Sequence, residues 1–252
     1  MEYKKLYRLL NKLSLSEIFH ENTKMLFIEK RVQSEVPDSW KTISFKSYPR
    51  FKQIALTPFV KSNFNIEDII NKRRSIRNFK KSQLTIEQLS KILYFSAGIT
   101  YNGKTSDETL RAYPSAGARY PLEIYPVVFN LKGLEAGVYH YNIKLHCLEL
   151  LQEGNFNREM FKYIDQEMIK DCSFIIVITA VFNRTKNKYG ERGYRHILLE
   201  AGHLTQNTYL ITTAMGVGCC TIGGFLDNEI NKLLNIDGLS ESAIYMAAIG
   251  TL

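Results

Sequence analysis

Apolar residues at helical spacing predict the helices of the chain, beginning with Leu6–Leu13. The stretch NIED predicts a helix that Asn65 or Asp68 can cap. Thr85, with a glutamine three residues on, forms a capping box in front of a helix that ends at Gly98. Further helices are predicted near residues 157–169, over about twenty residues from Gly193, and over residues 226–236 behind a cap at Asp227.

Apolar and β-branched runs predict the strands. They are LEIYPVVFN (122–130), GVYHYNI (137–143), LHCLELL (145–151), CSFIIVITAVF (172–182) and AIYMAAIG (243–250), with GVGCCTIGGF (216–225) as a glycine-rich strand or turn. Asn142–Lys144 is a plausible hairpin turn between the second and third runs. Helices, then a hairpin, then alternating strands and helices favour an α+β or three-layer fold.

The N-terminal part of the chain has a different character. Pro37, Pro49 and Pro58 lie among aromatic residues, which favours an extended arm over a packed unit. We therefore expect a helical and extended arm over residues 1–60 and one domain over residues 61–252.

Composition narrows the class of protein. Hydrophobic residues make up 45% and charged residues 23% of 252 residues, which is typical of a globular chain. The net charge of +8 suits an anionic cofactor or an acidic partner, but the basic residues are scattered and accompany no nucleic-acid-binding motif. The N-terminus lacks a secretory apolar core, and the longest apolar run, about eleven residues, is too short to span a bilayer. We expect a cytoplasmic protein that binds neither nucleic acid nor a membrane.

The residues that bind metals show no site-like spacing. Cys147, Cys172, Cys219 and Cys220 form no CxxC pair. His196 and His203 are seven apart on one predicted helix, about 10 Å along its axis, which is too far to share one ion directly. We expect no metal site and interpret the two histidines as packing or interface residues.

Three short segments have compositions that suit a ligand. KRRSIRNF (72–79) places three guanidinium groups and a hydroxyl close together, which suits phosphate oxygens; a solvated charge cluster is the alternative. Pro114–Gly117 is small and turn-forming, so that the backbone can approach a flat ligand, although it could be an ordinary loop. Gly223 and Gly224 follow an apolar strand without the spacing of a dinucleotide-binding fold, and would allow a ring system to lie against the main chain.

A fourth segment, NRTKNKYGERGYRH (183–196), follows the buried strand. Most such charge-rich stretches are solvated connections. The alternative is that Lys188 and Tyr189 are proton-transfer groups at the mouth of a cofactor site. A lysine accepts a proton only if burial or a nearby cation lowers its pKa, and Arg184, Lys186 and Arg192 are candidates for that cation.

Taken in order, these segments resemble the FMN-dependent nitroreductase superfamily, and within it the SagB-type azoline dehydrogenases of thiazole- and oxazole-modified peptide biosynthesis. The resemblance covers nearly the whole chain. The segments that carry it, besides RRSIR (73–77), are Phe19-His20-Glu21 with Thr23-Lys24, Tyr48-Pro49 with Ile54-Ala55-Leu56, PSAGARYPLEIYP (114–126), KYGERGYRHILLEAGHLTQNTYL (188–210) and GVGCCTIGGF (216–225).

The resemblance implies a nitroreductase-like α+β fold, with a mostly antiparallel central sheet flanked by helices and FMN at a homodimer interface. The residues it implies around FMN are Arg73, Arg74, Ser75 and Arg77 at the phosphate and ribityl chain, Pro114, Ser115, Ala116 and Gly117 on one side of the isoalloxazine ring, and Gly223 and Gly224 on the other. Nitroreductases often place further basic phosphate ligands near the C-terminus. Gly250-Thr-Leu offers none, so we expect the Arg73–Arg77 cluster to meet the phosphate charge, or FMN affinity to be weaker.

In the azoline dehydrogenase branch a Lys-Tyr pair in this position is catalytic, and Lys188-Tyr189 matches it. The implied activity is oxidation of peptide thiazolines or oxazolines to thiazoles or oxazoles, with dioxygen reoxidising the flavin. A precursor peptide and a cyclodehydratase are the implied partners. Two alternatives stay open: an NAD(P)H-dependent nitro- or quinone reductase, and a flavin-binding or flavin-free scaffold subunit of a biosynthetic complex.

Overall fold

A computed structural model describes residues 14–25, 44–57, 59, 62–103 and 109–252. The predicted helix over Leu6–Leu13 lies outside these ranges. The helices are α1 Leu15–Asn22, α2 Ile66–Lys72, α3 Ile86–Ala97, α4 Asn157–Ile164, α5 Asn183–Tyr189, α6 Arg192–Ala214 and α7 Asp227–Leu233, with 3₁₀ turns at Ala116–Ala118 and Glu167–Lys170. The strands are β1 Gln53–Ala55, β2 Leu84–Thr85, β3 Ile99–Tyr101, β4 Leu110–Arg111, β5 Leu122–Val128, β6 Leu131–Lys132, β7 Gly137–Asn142, β8 Cys147–Glu153, β9 Phe174–Val181, β10 Val217–Ile222 and β11 Glu241–Thr251.

Seven strands form the central sheet in the order β1, β8, β7, β5, β9, β11, β10, and each neighbouring pair is antiparallel. The expected α+β fold with an antiparallel central sheet is confirmed. Two small sheets accompany it: β2 pairs with β6 in parallel, and β3 pairs with β4 antiparallel.

The central sheet is the middle of three layers. Successive side chains of a strand point to opposite faces, so the apolar run of β9 supplies two cores. Ile176 packs in the core beneath α3 and α6, and Val177 packs in the core beneath α4 and α7. A strand buried on both faces needs apolar residues throughout, which explains why β9 shows no alternation.

Two predicted helix caps are confirmed. Thr85 Oγ1 accepts from the N–H of Gln88 at 3.3 Å, and the Gln88 side chain accepts from the N–H of Thr85 at 2.9 Å. The Asn65 side chain accepts from the N–H groups of Glu67 and Asp68. The predicted cap at Asp227 is wrong, because the cap position is Leu226 and no side chain bonds to the first turn of α7.

Several predicted boundaries shift. The hairpin strand β8 begins at Cys147, which pairs with Asn142 and lengthens the turn. The helix predicted over residues 157–169 ends at Ile164, because Asp165 adopts a left-handed conformation with φ of 53° before the 3₁₀ turn.

One larger expectation was wrong. Residues 183–189 form α5 instead of a loop, and α6 follows after only two residues. Within the predicted arm, β1 pairs with β8 at the margin of the central sheet, with Ile54 opposite Leu148. That residues 1–60 form a separate unit stays a prediction. Within the described ranges, no helix is both long and apolar enough to cross a membrane.

Candidate functional site

Strand direction places three of the predicted ligand-binding or catalytic segments toward the same end of the central sheet. β9 and β10 both pair antiparallel with β11, so their C-terminal ends lie at the same end of the sheet. β5 pairs antiparallel with β9, with Leu122 opposite Ala180, and therefore begins at that end. The segments before β5, after β9 and after β10 contain Pro114–Gly117, Lys188–Tyr189 and Gly223–Gly224, respectively.

Gly117 is in direct contact with the Lys-Tyr pair. A Cβ atom built on Gly117 would lie 2.5 Å from Tyr189 Oη and 2.6 Å from Lys188 Nζ, so a side chain at this position would have to displace the ends of both residues. The φ of Gly117 is +61°, in the left-handed region that glycine adopts at low cost. The ammonium of Lys188 lies 5.6 Å from the centre of the Tyr189 ring. The turn at Gly117 and the two proposed catalytic side chains are therefore packed against each other.

The turn around Gly117 is held by buried polar contacts. Ser115 Oγ donates to Glu200 Oε2 at 2.9 Å and accepts from the N–H of Tyr120 at 2.8 Å. Burial raises the pKa of Glu200 to about 8, although the hydrogen bond from Ser115 and the charge of Arg111 act in the opposite direction. Among the described residues, Glu200 Oε1 and Arg111 Nε have no hydrogen-bond partner. Ser115 therefore stabilises the turn, since its hydroxyl both donates to Glu200 and accepts from Tyr120.

The Arg73–Arg77 segment runs beside β10. The N–H of Ile76 donates to the carbonyl of Cys219 at 2.9 Å. Ser75 Oγ lies 2.9 Å from Tyr209 Oη, and the Arg73 guanidinium lies 5.1 Å from the centre of the Tyr209 ring. Since Tyr209 Oη also accepts from the N–H of Thr221, this tyrosine ties the segment to the strand that leads to Gly223 and Gly224.

The residues around this end of β10 fit a flavin nucleotide. A Cβ atom built on Gly224 would have no other atom within 4 Å, and one built on Gly223 would meet only Tyr245 Cε2, at 3.9 Å. Both glycines are exposed, so a flat ring can approach the main chain there. Arg74 and Arg77 are exposed and offer guanidinium forks to a phosphate.

The cations suggested to act on Lys188 have other partners. The contacts are Arg184 Nη1 with Glu123 Oε1 at 2.5 Å, Lys186 Nζ with Glu191 Oε1 at 3.0 Å, and Arg192 Nη1 with the carbonyl of Thr23 at 2.9 Å. Lys188 itself is exposed on the single chain.

Sequence reasoning missed several residues that build the site. Glu200 and Tyr209 lie on α6 within an ordinary amphipathic pattern, and Arg111 lies on a two-residue strand, so none carried a local signal. His196 packs edge-on against the Tyr189 ring at 5.1 Å, whereas His203 is exposed. The described residues include no group of three or more His, Cys, Asp or Glu side chains arranged to bind a metal ion.

Comparison with models of protein families identifies the family of this chain. The model of the nitroreductase family matches residues 70–251, and the chain belongs to that family. The expected nitroreductase-like fold is thereby confirmed.

The chain is similar to several named relatives. It is 38% identical over 172 residues to a Methanocaldococcus jannaschii protein named as a nitroreductase, covering 68% of this chain and 84% of that protein. It is 27% identical to the trifolitoxin-processing protein TfxB of Rhizobium leguminosarum bv. trifolii, over 86% of this chain and 60% of that protein. It is 28% identical to the microcin B17-processing protein McbC of Escherichia coli, over 74% of this chain and 71% of that protein.

Solved structures share the fold. A crystal structure named as a nitroreductase from Anabaena variabilis has a TM-score of 0.76 and 29% identity, covering 94% of this chain and 46% of the other. A chain of the E. coli microcin synthetase McbBCD complex with truncated pro-MccB17 bound has a TM-score of 0.63 and 23% identity, over 94% of this chain and 92% of the other. This chain therefore spans less than half the length of the Anabaena protein.

Proposed function

We propose that this chain is a SagB-type azoline dehydrogenase, which oxidises thiazolines or oxazolines in a ribosomally made precursor peptide to thiazoles or oxazoles. The observation that carries the proposal is the contact of Lys188 and Tyr189 with the Gly117 turn. Two relatives that process trifolitoxin and microcin B17 support a peptide as the substrate.

FMN is the proposed cofactor. Arg73, Arg74, Ser75 and Arg77 would hold its phosphate and ribityl chain, while Pro114–Gly117 and Gly223–Gly224 would lie on the two sides of its ring system. The open space at the two C-terminal glycines and the exposed guanidinium groups support this assignment. Bound FMN supplies the two-electron acceptor for the hydride that leaves the azoline, so no nicotinamide is required.

Lys188 and Tyr189 would handle the proton. Aromatising an azoline breaks two C–H bonds: a hydride equivalent leaves one ring carbon, and a proton leaves the neighbouring Cα. Neutral Lys188 would accept that proton at Nζ, and Tyr189 Oη would orient the ring or relay the proton onward. Since Lys188 is exposed on the single chain, the proposed homodimer and the bound peptide would provide the burial that lowers its pKa.

A cyclodehydratase that makes the azoline is the proposed partner, since oxidation requires a ring that has already closed. The fold shared with a chain of the microcin synthetase complex, which holds bound pro-MccB17, supports an assembly of this kind. The precursor peptide would bind at the sheet end that contains the Gly117 turn.

An anaerobic visible spectrum tests the proposal. Addition of a thiazoline-containing peptide, without NADPH, is expected to bleach the flavin band. Lys188→Ala is expected to retain bound flavin and to slow bleaching by roughly 10²–10⁴-fold, the usual range for loss of a general base. Lys186→Ala, on the same helix but paired with Glu191, is the matched control and should bleach at the wild-type rate. Full activity of Lys188→Ala would remove the role assigned to Lys188.

An NAD(P)H-dependent nitro- or quinone reductase is the second candidate. The observation that favours it is the 38% identity with a protein named as a nitroreductase. A flavin band that NADPH bleaches and the peptide does not would establish it over the dehydrogenase. Purified protein that lacks a flavin band and binds the cyclodehydratase tightly would instead indicate a scaffold subunit.

A further inference from the structure

Arg184 connects the helix that carries Lys188 and Tyr189 to the central sheet. Its Nη1 donates to Glu123 Oε1 at 2.5 Å and to the carbonyl of Tyr120 at 3.2 Å. Arg184 precedes Lys188 by four residues on α5, so the two side chains lie one turn apart on the same side of the helix. A single guanidinium therefore joins α5 to the beginning of β5.

The same guanidinium is connected to the Gly117 turn. Tyr120 donates its N–H to Ser115 Oγ at 2.8 Å, which closes the backbone around Gly117. Its carbonyl accepts from Arg184. Because Tyr120 is bonded to the turn on one side and to α5 on the other, Arg184 sets the separation between Gly117 and that helix.

A buried chain of charges holds Glu123. His140 Nε2 lies 3.1 Å from Glu123 Oε2, and His140 Nδ1 lies 2.8 Å from Glu149 Oε2. Burial acts to lower the pKa of His140, but its hydrogen bonds to the carboxylates of Glu123 and Glu149 outweigh burial and raise that pKa, which favours an imidazolium that donates from both ring nitrogens. The side chain of Glu123 is 2% exposed, and those of His140 and Glu149 are 0% exposed, so water does not substitute for these bonds.

Other side chains surround the buried row of Glu123, His140 and Glu149. The rings of Tyr48 and Tyr125 pack on His140, with centroids 5.1 and 5.0 Å away. Asn142 Nδ2 donates to the second oxygen of Glu149 at 2.8 Å. The carboxylates of Glu123 and Glu149 thus face two cations, His140 and Arg184. The charges of these four side chains sum to zero.

We propose that Arg184 is a positioning residue, which holds Lys188 and Tyr189 against the Gly117 turn and is itself fixed by the buried chain from Glu123 to Glu149. This inference rests on the proposed function where it takes the Lys-Tyr pair as the reacting groups. A misplacement of about 1 Å can cost about 100-fold in rate. Loss of the guanidinium is therefore expected to slow the reaction although both reacting side chains remain.

The double variant Arg184→Met with Glu123→Gln removes the guanidinium without leaving an unpaired buried charge. His140 and Glu149 still pair as one cation and one anion, so the variant is expected to fold. The matched control for a general loss of stability is Asn157→Ala. It removes a 2.6 Å hydrogen bond to the carbonyl of Ile169, in the segment that leads into the opposite end of β9.

Two readouts separate positioning from general destabilisation. Hydrogen exchange of the flavin-loaded protein without peptide is expected to quicken about tenfold at the amides of residues 186–190, through easier local opening. The rate of flavin bleaching at saturating thiazoline peptide is expected to fall about 100-fold, while the peptide concentration for half-maximal rate changes by less than about twofold. Asn157→Ala should alter neither value.

The outcomes are distinguishable from those of the proposed function. Unchanged exchange at residues 186–190 in the double variant would overturn the positioning role, whether or not the rate falls. A wild-type bleaching rate in spite of faster exchange would overturn it as well. If the wild-type protein itself is not bleached by the peptide, the proposed function fails, and the exchange measurement still decides whether Arg184 holds α5.

Discussion

At the scale of single residues, Gly117 is the position where backbone conformation and proposed chemistry constrain each other. Its positive φ favours glycine, and the space beside its Cα is occupied by the ends of two side chains, Lys188 and Tyr189. Those ends can rotate away from an added methyl group, unlike backbone atoms. A substitution at Gly117 is therefore expected to displace the ends of Lys188 and Tyr189 more than it destabilises the fold.

Gly117→Ala is expected to lower the free energy of unfolding by about 1–2 kcal/mol, the cost of a left-handed alanine, and to slow flavin bleaching by more than about tenfold through displacement of the Lys-Tyr pair. Gly216→Ala is the matched control, since Gly216 has a φ of +65° and nothing within 4 Å of an added Cβ atom. Chemical denaturation and stopped-flow bleaching measure the two quantities. Equal bleaching rates for the two variants would contradict the role of this contact.

Glu200 makes stability depend on pH, because burial raises its pKa to about 8. The unfolded chain releases this proton near pH 4.5, whereas the folded chain keeps it until about pH 8. The unfolded state therefore binds fewer protons across that window, and the free energy of unfolding falls as pH rises. Above pH 8 the full cost of a buried carboxylate is present.

Glu200→Gln is expected to leave stability unchanged near pH 4 and to raise the free energy of unfolding at pH 8.5 by up to roughly 5 kcal/mol, as a rise in pKa from 4.5 to about 8 implies. Urea denaturation at a series of pH values measures it. Exposed Glu153→Gln controls for the loss of a carboxylate. Parallel pH profiles for the wild type and Glu200→Gln would show that Glu200 is ionised in the folded protein at neutral pH.

At the scale of elements, α5 is a segment whose local sequence does not determine whether it forms a helix or a loop. Residues 183–189 contain one buried side chain, Thr185, and several charges, so no apolar periodicity distinguishes a helix from a loop. Contacts from outside the segment stabilise the helix: Arg184 bonds to Glu123, and Gly193 of α6 lies so close that an added Cβ atom would meet Lys186 Cα at 3.1 Å. Tertiary packing decides the conformation here.

The start of α3 is the opposite case, because the capping box of Thr85 and Gln88 determines where this helix begins. Thr85→Ala removes the hydroxyl that accepts from the N–H of Gln88 and is expected to lower the free energy of unfolding by about 1 kcal/mol, or Tm by about 2–4 °C for a chain of this size. Thr85→Ser keeps the hydroxyl and should lie near the wild type in a thermal melt. A melt of Thr85→Ala that matches the wild type would show that the cap adds nothing to the packing of α3 on α6.

At the scale of the whole molecule, the antiparallel order of the sheet assembles the site. Neighbouring strands far apart in sequence bring the segment before β5 and the segments after β9 and β10 to one end. Two hydrophobic cores pack against the two faces of that sheet at β9. The residues of the candidate site thus come from four segments between Arg73 and Gly224.

The sequence by itself determined the elements whose signals are local. The apolar run of β9, the caps at Asn65 and Thr85, and the class of fold followed from patterning and side-chain hydrogen bonding within a few residues. The resemblance pointed to PSAG, Lys188-Tyr189 and the C-terminal glycines, which the structure brings toward one end of the sheet, and to RRSIR, which runs beside β10, although their roles stay predictions.

Only the tertiary structure decided the contacts between those segments. The approach of Lys188 and Tyr189 to Gly117, the burial of Glu200 beneath Ser115, and the bonds of Arg184 all join residues more than fifty positions apart. Neither periodicity nor capping encodes such distances, because both describe neighbours along the chain. The environment that raises the pKa of Glu200, and the helix that contains Lys188 and Tyr189, exist only once the layers have packed.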